Sequence, residues 1–152
     1  MEMEYVSEFL PAPIILEHGE YKGYEYYITS VGTHPCCYAE IPVEHEFYRN
    51  REIGSLSVPC HGGITYTGHL EHIGPESNKL FIGWDYAHCT DFTGFYLEYP
   101  ALIPKFWPQH KWTTEELIQE CKEVIDYLAG LEQGYAEVRA GEKQKNKDED
   151  DD

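Results

Sequence analysis

Two short segments hold most of the side chains that chemistry uses: Cys60-His61-Gly62-Gly63, and the run Asp85 to Asp91 with sequence DYAHCTD. Imidazole and carboxylate suit zinc, manganese or iron, and His61, Asp85, His88 and Asp91 make a candidate set for a divalent metal with a position left open to water. The same groups permit metal-free acid–base work, in which Asp85 orients His88 as a general base and Gly62 and Gly63 present backbone amides to an oxyanion. A third role is binding alone. There the Gly62-Gly63 amides form an anion nest, and Tyr66, Trp84 and Tyr86 stack on a base or sugar. Set against these is a structural reading, since an Asp and a His at the end of a buried strand also serve to tie a loop down. Cys60 and Cys89 lie beside the motifs but show no paired CxxC spacing, so they read as small buried hydrophobes.

Both segments follow or precede apolar runs, which places them at strand ends, where a rigid sheet holds loops in position. Ile64 to Gly68 and Lys79 to Trp84 read as strands, and His61 and His88 share an edge if those two are neighbours. Upstream, Ile14 to Glu17 and Tyr24 to Val31 alternate with period two around a turn at Gly19 to Gly23, which predicts a hairpin. Cys36 to Ile41 predicts a third strand, with Cys36 and Cys37 on opposite faces; Val43 to Asn50 reads as a loop with a helical turn, and Ile53 to Val58 as a further strand. Phe92 to His110, rich in aromatics and prolines, reads as a packed loop. Thr113 and Glu116 have the spacing of a capping box, with Trp112 and Leu117 as its hydrophobic staple. Leu117, Cys121, Val124, Ile125 and Leu128 then recur at helical spacing, so a helix from Thr113 to about Leu131, stopped at Gly130 or Gly134, packs one stripe on the sheet. The expected architecture is α+β: a mainly antiparallel sheet of about five or six strands with one long C-terminal helix on a face. Residues 1–12 read as a docked arm, 13–134 as the domain and 135–152 as a charged, mobile tail, in which Tyr135 to Lys147 is a weak helical extension and Asp148 to Asp152 a solvated acidic run.

With 152 residues, one core suffices. Lys and Arg number 11 against 28 Asp and Glu, a formal net charge of -17, which argues against a protein that grips phosphate backbones directly. Asp148 to Asp152 contribute five of those charges, so the remainder still stands at -12. Five cysteines, an odd number, and an N-terminus without a basic or apolar leader fit a reduced cytoplasmic setting. No apolar run approaches the roughly 20 residues that span a bilayer. Walker, dinucleotide-fold, serine-hydrolase and HExxH signatures are absent.

Cys60 to Tyr66 (CHGGITY), Gly83 to Asp91 (GWDYAHCTD) and the helix start Trp112 to Leu117 (WTTEEL) resemble a family of small phage and prophage proteins. Those proteins carry an H-G-G-[LI]-T-Y turn and a G-[FW]-D-x-A-H-x-x-D motif, and the likeness spans roughly residues 20–130. It implies an accessory protein acting in the cytoplasm of an infected bacterium, and no particular reaction. The leading expectation is therefore an acidic protein that antagonises a host defence component by binding its basic surface, through nucleic-acid mimicry. The alternatives are capture of a small nucleotide-like signal at His61, Asp85 and His88, and a metal-dependent or acid–base hydrolase at the same residues.

Overall fold

The structure, a computed structural model, describes residues 1–49, 58–71, 78–105 and 108–150, with side chains described to residue 142. Five strands form one antiparallel sheet: β1 (Ile14–Tyr21), β2 (Tyr24–Ser30), β3 (Pro35–Ile41), β4 (Tyr66–Gly68) and β5 (Leu80–Asp85), in the order β1-β2-β3-β5-β4. The β1–β2 turn is tighter than Gly19 to Gly23. Only Lys22 and Gly23 form it, both at positive φ, and this two-residue geometry matches the twist of a hairpin. The predicted strand at Ile53 to Val58 lies outside the described residues, save for Val58, which is buried in the core.

Alternation on the strands builds the core directly. Leu16, Tyr26, Ile28, Cys37, Ala39, Ile41, Leu80, Ile82 and Trp84 face one side. Against them the long helix α3 (Thr114–Asp150) lays Leu117, Cys121, Val124, Ile125 and Leu128, all fully buried. Each such side chain contributes about 1.5–3 kcal/mol by leaving water. A smaller cluster of Tyr27, Leu70 and Phe81 covers the other face, so β5 is buried on both sides.

The capping box forms as the spacing predicts. Glu116 N–H donates to Thr113 Oγ1 at 3.3 Å, and Thr113 N–H donates to the Glu116 carboxylate at 3.0 Å. Thr113→Ala is expected to lower stability by about 1 kcal/mol, read as a shift in urea midpoint. At its other end the helix passes through Gly130 and Gly134 instead of stopping. A mid-helix glycine costs only about 1 kcal/mol, and packing around the short helix α1 (Glu46–Arg49) outweighs that: Phe47 meets the Tyr135 ring at 6.2 Å, and Arg139 pairs with Glu46. His45, fully buried, adds a clasp. Its Nδ1 accepts from Phe47 N–H, which fixes the proton on Nε2, and that N–H donates to the Leu128 carbonyl at 2.9 Å. Backbone helix runs on through Asp150, while Asp151 and Asp152 lie outside the described residues.

The N-terminal arm is held through Val6 N–H to the Gly32 carbonyl and Leu10 N–H to the Val31 carbonyl. Residues 92–110 differ from a packed loop: they contain helix α2 (Phe95–Glu98) and a 3-10 turn (Pro100–Leu102), with Phe95, Leu97, Tyr99 and Leu102 exposed. Phe106 and Trp107 of that segment lie outside the described residues.

Candidate functional site

Strands β4 and β5 are neighbours, with Tyr66 opposite Gly83, so the turn before one and the loop after the other meet at the same sheet end. The His61 and His88 rings stand 5.0 Å apart between centroids, edge to face. Between them lies Asp91, its side chain 1 % exposed. Its Oδ2 faces His61 Nε2 at 2.8 Å, the His88 backbone N–H at 2.9 Å and His88 Nδ1 at 3.1 Å, while its Oδ1 accepts from the Trp112 indole N–H at 2.8 Å. Burial alone would push this carboxyl up, but the donors from His88, His61 and Trp112 outweigh it and hold the pKa below the ordinary aspartate value.

Each part is held by its own local structure. Cys60 to Gly63 closes as a turn in which Gly63 N–H donates to the Cys60 carbonyl, and Gly62 and Gly63 both have positive φ. Gly62 also leaves room for His88, because an added Cβ would land inside that imidazole. His61 lies flat on Tyr86 at 4.6 Å and 7°, and its backbone N–H donates to Glu120 on α3 at 2.7 Å. The loop 88–92 is clamped to the segment before α3 by His110 N–H to the Thr90 carbonyl and Phe92 N–H to the His110 carbonyl.

Several expected roles move. Asp91, not Asp85, orients His88; the nearest Asp85 oxygen is 4.0 Å from Nε2, and its Oδ1 accepts from Ala87 N–H. Trp84 and Tyr86 are buried under α3, with the Trp84 indole donating to the Tyr86 hydroxyl, so neither ring is open to a ligand. Tyr66 points to the opposite sheet face, where it meets Tyr38 at 5.8 Å. The Gly63 amide is already used within its turn, and the His61 amide of the same turn donates to the Glu120 carboxylate. Cys60 stays outside the histidine–aspartate cluster, and burial pushes its thiol up to about 11; Cys36 is pushed to about 12 and Cys37 well above its usual value. Cys89 alone of the five is exposed. His69 donates its Nδ1–H to the Lys79 carbonyl, as a loop tie; His72 lies outside the described residues.

His88 also forms part of the wall of a groove of about 500 Å³. Phe9 of the arm, His34 of the β2–β3 turn, and Phe95, Tyr96 and Leu102 also line it, and among the described residues no Lys or Arg does. His34 pairs Nδ1 with the Thr33 hydroxyl at 2.9 Å, and burial lowers its pKa below the usual histidine value. The sequence reading places Trp112 only as a hydrophobic staple and contains neither its bond to Asp91 nor His34 nor this groove. For Trp112 a signal existed, since a buried indole N–H requires an acceptor. The arm closes the groove where it crosses Gly94, whose missing side chain lets the Val6 carbonyl approach. Gly94→Ala keeps an allowed helical φ of -61° but drives the new methyl into that carbonyl. Faster trypsin-independent cleavage of the arm, for example by a protease selective for Glu, is the expected result relative to the parent chain.

No family model, curated protein or solved structure matches the chain.

Proposed function

We propose that the chain is an acidic binding protein whose groove beside His88 receives a cationic, apolar-anchored segment of a protein partner and so blocks that partner's own basic surface. The observation that supports this most is the pairing of charge with apolar exposure. Phe9, Phe95 and Leu102 line the groove, the Tyr99 ring stands 4.9 Å from Phe95, and all four are exposed on a chain of net charge -17. Contiguous apolar surface of this kind marks interaction sites, and its carboxylate surroundings, among them Glu98 held by the Ser7 hydroxyl, favour a positively charged visitor. In the phage setting that the motifs imply, the partner is a host defence protein, and occupation of its nucleic-acid cleft is the inhibitory act.

Affinity capture from the bacterial host, using the parent chain and a Phe95→Ser/Leu102→Ser variant, tests this. A discrete partner should be retained at about 50 mM salt, released near 500 mM as the attraction is screened, and missed by the variant. A partner held equally by the variant, or unaffected by salt, would overturn the groove reading. Thermal stabilisation by nucleosides with no protein partner would instead assign the groove to small-ligand capture.

A further inference from the structure

We propose that His61, His88 and Asp91 form a binding site for a divalent transition-metal ion, with zinc the best match to the donor set. One ligand atom from each residue lies within 4.8 Å of the others. The Asp91 Oδ2 contacts of 2.8 and 3.1 Å to the two imidazoles approach the roughly 3.3 Å that separates neighbouring ligands of a tetrahedral zinc with bonds near 2.0–2.1 Å.

Hydrogen bonding alone serves this arrangement poorly. A carboxylate oxygen offers about two lone-pair directions. The His88 amide takes one, yet both imidazole nitrogens address the same atom, so they crowd what remains. A single cation between the rings and Oδ2 would satisfy all three.

The surroundings are those of a supported metal site. Metal-bound carboxylates are normally fixed by an outer hydrogen bond, and here Trp112 N–H supplies it on Oδ1. His61 is held flat by Tyr86, and its backbone N–H is anchored on the Glu120 carboxylate at 2.7 Å. Three protein ligands leave a fourth position for water. This site is independent of the groove's partner: either can fail without the other.

The test uses the full chain and needs no partner. Protein stripped with chelator is titrated with Co²⁺, followed by its visible ligand-field bands, and zinc is measured by competition. One equivalent should bind, with His61→Ala and His88→Ala each weakening it at least 100-fold. His18→Ala and His69→Ala should leave it unchanged. Because substitutions at the cluster can disturb folding, imidazole NMR of the parent chain provides a second reading: zinc should shift His61 and His88 selectively. Iron or manganese in place of zinc, with the same histidine dependence, supports the site with a different ion. Absence of cobalt bands, or zinc shifts confined to other histidines, overturns it.

Discussion

Asp91→Ala should be strongly destabilising, with an expected loss of about 3–5 kcal/mol in urea unfolding, because it removes one acceptor shared by several donors, each buried donor left unpaired costing about 1–3 kcal/mol. The His88 amide, the Trp112 indole and two imidazoles would lose their shared acceptor at once, and a buried donor without a partner keeps its full desolvation cost. Asp91→Asn should cost less, since one carbonyl oxygen remains. A pH dependence follows from the depressed pKa. The carboxylate contributes stability that is fully present above the unfolded aspartate value near 4, and that contribution is lost as pH falls through the lower folded value. The parent chain should therefore show a larger acid-side loss of stability than Asp91→Asn, which keeps only the contributions of other lowered carboxylates such as Glu25 and Glu116. Equal acid profiles for the two proteins would show that the cluster is energetically idle.

Gly62→Ala should follow, with a loss of about 2–4 kcal/mol from left-handed backbone strain and overpacking together. Its φ of 72° disfavours any Cβ, and the Cβ it would gain occupies the His88 ring, which Asp91 holds in place. Gly63→Ala is the control. Its φ of 87° carries similar strain, but nothing lies near its added Cβ, so it should cost less and leave the His88 NMR signals in place. Matching losses in the two variants would mean that the imidazole contact with Gly62 contributes nothing.

The sheet and helix were legible because burial leaves a periodic trace. Alternation on β2 and β3 and the stripe on α3 each predict the face that is buried, and the Gly-Gly turn and the DYAHCTD run do meet. Parity also contains the fate of two aromatics. Leu80, Ile82, Trp84 and Tyr86 share one face, and that face lies under the helix, so rings offered to a ligand by residue type are spent on the core. The choice between Asp85 and Asp91 was not legible, since both stand three residues from His88. It is decided by Asp91 N–H donating back to the His88 carbonyl, which curls the chain and turns only the later carboxylate inward. The groove was hidden for another reason. Its walls come from an arm, a turn and helix α2 that lie far apart along the chain, and no local pattern encodes their meeting.

The uneven burial of the thiols has a practical corollary. Alkylating dyes react with thiolate at accessible sulfur. Cys37 and Cys121 are sealed in the core, and Cys36 and Cys60 are disfavoured by their raised pKa values. Cys89 is left as the natural attachment point, and it borders the groove. A solvent-sensitive fluorophore placed there would report occupancy in the native sequence, with no cysteine engineered in or out.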